Sequence, residues 1–260
     1  FKNSTIIYHK PISTSRNFKE IIGIIRYLLY RVVTIISRDN NPIPRYYFEA
    51  YLAAANLKVD YIVAEGGLYQ HFGIFKKKFT RQQMFAHLHR IVEGSPEYWK
   101  IFKNAICVSK FVKRKFMHNC VDYNVKGHVL YNCCEEDNFK TILSPMELRN
   151  VRQRIGITTT DFLIIFSGRL VPEKGVIELI NAVHLTNNEN IKLLIVGSPM
   201  YDGAEETNYS AEVKRLAEKY PNRIFLTGFV HNSKIGSFMQ AADLCVVPSL
   251  YDEPRALVPL

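Results

Sequence analysis

Short runs of β-branched and other apolar residues alternate along the chain with longer stretches whose apolar positions recur every three to four residues. The short runs predict strands and the longer stretches predict amphipathic helices. Strands are predicted over residues 60–64, 84–89, 105–109 and 128–131, after a first one at 5–9, and again over 162–167, 192–196, 223–226 and 244–247. Helices are predicted between them, over 17–37, 45–56, 110–119, 175–185, 209–220 and 233–241. Such alternation argues for βαβ units, and therefore for an α/β protein with parallel sheets. Residues 135–160 break the rhythm, being polar, carrying Ser144-Pro145 and holding only a short helical piece over 146–155. We therefore divide the chain into a first domain over 1–139, a linker over 140–160 and a second domain over 161–260.

The predicted helix over 17–37 is unusually apolar, with Ile21, Ile22, Ile24, Ile25, Leu28, Leu29, Val32, Val33, Ile35 and Ile36 around Arg26 and Arg31. Two arrangements suit it: a helix lying in a membrane interface with its arginines at the headgroups, or a helix packed between a sheet and its neighbours. No uncharged apolar stretch reaches the ~20 residues that a membrane-spanning helix needs.

Charge changes the picture more than bulk composition does. The formal net charge is +10, concentrated early in Lys76-Lys77-Lys78, Arg81, Lys110 and Lys113-Arg114-Lys115. A chain of this kind favours anionic partners, either an acidic lipid surface or phosphorylated ligands, although a solvated basic face would read the same way. Nucleic acid is disfavoured, because no RNP, zinc-finger or helix-turn-helix pattern accompanies the charge. The five cysteines form no C-x-x-C pair, which suits a reducing compartment better than a zinc ribbon or a disulfide scaffold. Neither a G-x-G-x-x-G turn nor a P-loop follows any predicted strand, so the common dinucleotide and P-loop nucleotide sites are disfavoured.

The strongest chemical signal is F-L-I-I-F-S-G-R-L-V-P-E-K-G-V over residues 162–176. An apolar strand ends at Ser167-Gly168, Arg169 and Lys174 follow, and a helix begins at Gly175. Ligands of open α/β sheets sit beyond the carboxyl ends of strands, which places both cations at the ligand edge. A guanidinium grips a phosphate through two N–H groups and a lysine serves as a mobile point charge. Together they suit a diphosphate, and they would equally suit a plain polar loop.

G-R-L-V-P-E-K-G-V resembles the donor-domain signature of retaining GT-B glycosyltransferases of family 4. Further segments resemble the family in the same order: L-L-I-V-G ending at Gly197, L-T-G-F-V over 226–230, A-D-L-C-V-V-P-S ending at Ser249, and Glu253-Pro254. The resemblance implies two Rossmann-like domains facing across a cleft. It also implies a hexose transferred from a nucleotide diphosphate sugar, UDP-linked as is commonest in the family, with retention and without a bound cofactor. Metal independence agrees with the absence of a D-x-D motif. Arg169, Lys174 and the backbone of Gly168 would then hold the donor diphosphate, together with the backbone N–H groups of Ala256 and Leu257. Glu253 would lie near the donor sugar, and Gly197 and Ser249 would line the cleft. The family pattern further implies a strand and glycine-rich loop ahead of Phe1 and a second glutamate directly after Leu260, so both domains read as incomplete.

In the first half, His87 and His89 share a strand face, being two residues apart. A metal there needs a third ligand, and the sequence signals none. The family resemblance implies a cleft histidine in this region, and His89, nearer the strand end, is the better match. Gly66-Gly67 ends another strand and allows a backbone to approach a ligand, or forms an ordinary turn. Tyr131-Asn132 resembles the family's exit from its first domain, which makes Asn132 a further cleft candidate. The implied acceptor is lipid-linked or an oligosaccharide, in the synthesis of a bacterial surface polysaccharide. The implied location is cytoplasmic, with the basic half on the inner face of the plasma membrane. A non-catalytic partner subunit that binds nucleotide sugar is the alternative, suggested by Arg255 and Ala256 where the family often has an aromatic residue and glycine.

Overall fold

The computed structural model describes Leu28 and residues 43–57, 59–65, 69–92, 99–118, 120, 124–133, 139–200 and 205–254. The predicted strand over 5–9, and the helix over 17–37 apart from Leu28, lie outside the described residues. Two compact units divide the chain, Phe1–Tyr131 and Asn132–Leu260.

In the first unit, helix α1 (Arg45–Asn56) precedes strand β1 (Ile62–Glu65), and a 3-10 stretch over Tyr69–Lys77 leads to β2 (Met84–Leu88). Strand β3 (Asn104–Cys107), helix α2 (Lys110–His118) and β4 (Lys126–Val129) follow among the described residues. The four strands pair in chain order, all parallel. Alternate residues of β2 (Met84, Ala86 and Leu88) are fully buried, while Phe85 and His87 face the other side. The Tyr69–Lys77 stretch was not predicted, because its aromatic residues follow neither a strand nor an α-helix period. It folds onto α1 through edge-on rings, Tyr51 on Phe75 and Tyr47 on Phe72.

In the second unit, helix α3 (Pro145–Arg154) comes first, followed by β5 (Phe162–Ser167), α4 (Val176–Leu185), β6 (Ile191–Val196) and α5 (Asn208–Lys219). Strand β7 (Ile224–Gly228), helix α6 (Asn232–Ala241) and the short β8 (Leu244–Cys245) close it. The sheet order is β7-β6-β5-β8, again all parallel. Residues 163–166 of β5 are buried without interruption, as expected for a strand covered on both faces. Ile164 and Phe166 pack with Val176, Ile180 and Val213, whereas Leu163 and Ile165 pack with Ile157, Ile235 and Phe238.

The boundary lies earlier than the linker read over 140–160, which is folded into the second unit. Helix α3 buries no residue of its own, so its composition reads as linker. Polar anchors hold it instead. Arg152 donates to the Ala241 carbonyl at 2.9 Å and to Asp243 at 2.5 Å, and Asp243 in turn accepts from the Leu163 amide at 2.7 Å. Ser144 and Glu147 form a capping box at its N-terminus.

Candidate functional site

Strand order in the second unit decides where a ligand can enter. From β5 the chain steps outward to β6 and β7, then returns through α6 to place β8 on the opposite side of β5. The order therefore reverses between β5 and β8, and doubly wound sheets bind ligands at the carboxyl ends of the strands at that switch point. The two segments leaving these strands are 168–175 and 246–254. They carry Arg169, Lys174, Ser249 and Glu253.

Glycines bring these loops together. Gly175 has φ +66°, and a Cβ added there would sit 2.1 Å from the Pro248 carbonyl oxygen. The chain therefore passes directly against 248, which only glycine allows in this left-handed conformation. Alongside, the Leu250 amide donates to the Glu173 carbonyl at 2.9 Å. Gly197 and Gly168 make a second close approach, since a Cβ on Gly197 would lie 1.8 Å from the Gly168 carbonyl oxygen. Gly168 and Gly197, both candidates from sequence, thus shape the floor where β5 and β6 end.

On this base Lys174 Nζ meets Glu253 Oε1 at 2.6 Å, both side chains mostly buried at 18% and 14% exposure. Ser249 donates its hydroxyl to the same carboxylate oxygen. Lys174 also stands over the Tyr251 ring, 5.6 Å from its centroid. Tyr251 was not singled out in sequence; its neighbourhood with Lys174 depends on the turn after β8. Arg169 is exposed and has no side-chain hydrogen bond or ion pair among the described residues. The first amides of α4 are not available to an anion, because Val176 and Ile177 donate to the Tyr209 hydroxyl at 3.1 and 3.3 Å. Three of the sequence candidates, Lys174, Ser249 and Glu253, therefore form one hydrogen-bonded cluster. Ala256 and Leu257 lie outside the described residues.

In the first unit, Glu65 ends β1 and is in register with His87 on β2. Its carboxylate bridges the two histidines, with Oε2 at 2.8 Å from His87 Nδ1 and Oε1 at 2.5 Å from His89 Nε2. The two imidazole nitrogens are themselves 3.2 Å apart. Burial pushes the Glu65 carboxyl up, but the hydrogen bonds and charge of His87 and His89 outweigh it and hold it below the usual carboxylate range. Glu65 is the third group that the sequence did not signal. Only the strand pairing reveals it, since 22 residues separate it from His87. Both histidines point to the same place, as their two-residue spacing predicts. Asn132 is half-buried just past β4, and Gly66 and Gly67 lie outside the described residues.

Comparison with known proteins gives a family match within the second unit and broader likenesses that extend beyond it. Residues 149–260 match the family model described as Glycosyl transferases group 1. An uncharacterized glycosyltransferase of Methanocaldococcus jannaschii is 32% identical over 171 residues, covering 63% of this chain and 41% of the relative. The lipopolysaccharide 1,2-N-acetylglucosaminetransferase of Salmonella typhimurium is 30% identical over 112 residues, covering 42% of this chain and 29% of the relative. The chain thus spans less than half the length of either relative. Among solved structures, a glycosyltransferase from Rickettsia africae superposes with a TM-score of 0.67 at 20% identity, over 83% of this chain and 58% of that one. Anabaena HepE in complex with UDP gives 0.63 at 22% identity, over 80% and 57%. At these identities the likeness is one of fold, and the fold is the α/β GT-B type with parallel sheets.

Proposed function

We propose that this chain belongs to a retaining, metal-independent glycosyltransferase and supplies its donor-binding unit with part of its acceptor-side unit. The donor is a hexose on a nucleoside diphosphate, with UDP as the nucleotide. The acceptor is a lipid-linked or oligosaccharide chain of a bacterial surface polysaccharide. The observation that carries this reading is the Lys174–Ser249–Glu253 cluster at the strand-order reversal of the second sheet.

The chemistry follows from charge. Breaking the bond between the sugar and its phosphate leaves a nucleoside diphosphate carrying growing negative charge, while the sugar becomes oxocarbenium-like. Lys174 and Arg169 are suited to neutralise the departing diphosphate, a task that a divalent ion performs in D-x-D enzymes. Lys174 is held in advance by Glu253, whose carboxylate in turn accepts from the Ser249 hydroxyl, so little ordering is left when the diphosphate arrives. Glu253, released from Lys174 as the phosphate takes its place, can turn its carboxylate to a sugar hydroxyl or to the developing positive charge. His89, hydrogen-bonded with Glu65 and His87, is the candidate catalytic histidine of the first unit. The UDP bound in HepE supports the nucleotide, and the lipopolysaccharide relative supports the acceptor class.

Lysines support the expected anionic surface. Lys76, Lys77 and Lys100, with Gly73 and Ile101, line an open depression of about 540 Å³ in the first unit. No helix among the described residues is long and apolar enough to cross a membrane; the proposed contact with a cytoplasmic leaflet rests on these lysines and is peripheral.

A panel of nucleoside diphosphate sugars tested by thermal shift, followed by transfer or hydrolysis of the best binder, examines the reading. A UDP-sugar at 100 times its dissociation constant should stabilise the protein by roughly 2.7 kcal/mol. Glu253→Ala should keep UDP binding and lose turnover. Binding of a UDP-sugar with no transfer or hydrolysis in any variant would instead identify a non-catalytic sugar-nucleotide binder.

A further inference from the structure

We propose that Glu65, His87 and His89, all in the first unit, form a binding site for a divalent zinc-class ion that the donor diphosphate chemistry does not need. The ligand atoms of these residues all lie within 4.8 Å of one another. Two imidazoles and one carboxylate are ligands that zinc takes readily, at bond lengths of ~2.0–2.2 Å. Tetrahedral bonds of that length place neighbouring ligand atoms about 3.3 Å apart. The His87 Nδ1 to His89 Nε2 gap is already 3.2 Å. The carboxylate oxygens, at 2.8 and 2.5 Å from the two rings, need only retreat by several tenths of an ångström to admit an ion.

The frame behind these ligands is rigid. Glu65 and His87 are paired in register on adjacent strands, and their neighbours Ala64, Ala86 and Leu88 are fully buried. The His87 carbonyl accepts a hydrogen bond from the hydroxyl of the buried Tyr69 at 2.8 Å. The rings of His87 and His89 are tilted at 55° with centroids 4.1 Å apart, so the two nitrogens converge instead of stacking. Exposure rises outward from His87 at 18% to His89 at 43% and Glu65 at 65%. One side of the site is therefore open to solvent, which leaves a fourth coordination position for water. The ion would replace the protons now shared between the rings and the carboxylate, and two neutral imidazoles with one carboxylate leave it with a net charge of +1.

This site shares His89 with the functional reading above, but it depends on neither donor binding nor transfer. If both hold, zinc occupies His89 and acts as an inhibitor. The test is a titration of the chelator-treated full chain with zinc alone, followed calorimetrically or by competition with a chromogenic chelator. One saturable equivalent is expected. Glu65→Gln and His89→Ala, each verified as folded by circular dichroism, should weaken it by at least the ~10–100-fold that even outer-shell changes cost. The exposed Cys133 is the obvious competing ligand, so Cys133→Ser should leave the equivalent in place. Absence of saturable binding overturns the proposal, as does unchanged affinity in the Glu65 and His89 variants or loss of binding in Cys133→Ser. UDP binding by the zinc-free protein, measured apart, decides the functional reading independently.

Discussion

Replacing Gly175 by alanine tests the lock between the two loops at the second unit's switch point. The added Cβ meets two separate penalties. A left-handed conformation costs a non-glycine residue ~1–2 kcal/mol. In addition, Cβ would stand 2.1 Å from the Pro248 carbonyl oxygen, where real contacts stay beyond 3.0 Å, so one loop must retreat by the 0.9 Å difference. Overpacking of that kind costs a further ~1–3 kcal/mol. Gly228 provides the control, with φ +70° and nothing within 4 Å of its would-be Cβ, so Gly228→Ala pays only the first penalty. At ~4 °C per kcal/mol, differential scanning should show Gly175→Ala melting roughly 14 °C below the parent and Gly228→Ala roughly 6 °C below it. The displaced loop carries Ser249 and Glu253. A shift of ~1 Å at a positioned group can cost ~100-fold in turnover, which a coupled assay of UDP release would detect. Equal melting of the two variants, together with unaltered turnover in Gly175→Ala, would refute the close approach as the source of the site's geometry.

Other consequences are simpler to check. Arg152→Ala removes the anchor between α3 and residues 241–243 and leaves Asp243 with only the Leu163 amide; because Asp243 is partly exposed, the cost should be ~1–3 kcal/mol, read from urea unfolding. Burial pushes the Cys107 thiol up to about 11, against a smaller opposing effect of Lys113, and burial with Cys107 nearby pushes Cys120 up to about 12. At pH 8 iodoacetamide should therefore modify exposed Cys133 and spare Cys107 and Cys120 until the protein unfolds, as peptide mapping would show. The same shifts have a stability consequence. Unfolded thiols ionise near ~8.5 while the folded ones stay neutral, so their stabilising contribution is complete below that pH and is lost as pH rises through the folded values. Thermal melts from pH 8 upward should fall for the parent and fall less for Cys120→Ala; parallel curves would contradict the burial of these thiols.

Where the chain's pattern was unambiguous, elements emerged nearly to the residue. β5 reads F-L-I-I-F-S because a strand buried on both faces needs no polar alternation, and its bounds match the predicted 162–167. The helix over Arg45–Asn56 also matches its prediction, since the apolar spacing is regular and Pro44 stands just before it. Lys174 and Glu253 were legible as candidates from the motifs that carry them, but their 2.6 Å contact was not, because 79 residues separate them and the contact depends on strand order. The same holds for Glu65. Its place beside His87 follows from β1 and β2 being neighbours, which no local pattern encodes. Helix α3 was read as linker because it is held by arginine and capping hydrogen bonds, and apolar periodicity has nothing to say about such anchors. The lock at Gly175 needed coordinates, since a glycine in a loop reads the same whether it bends the chain or admits a neighbour.

If Lys174 holds the donor's diphosphate without a divalent ion, as proposed, UDP binds the protein at equilibrium even in excess EDTA. Calorimetry on the parent chain should give saturable binding. Lys174→Ala should weaken it by ~10–150-fold, the equivalent of losing one charge-assisted contact of ~1.5–3 kcal/mol. Glu253→Gln, which frees the lysine, should bind UDP as well as or better than the parent. Unchanged affinity in Lys174→Ala, or binding that requires added magnesium or manganese, would contradict the account.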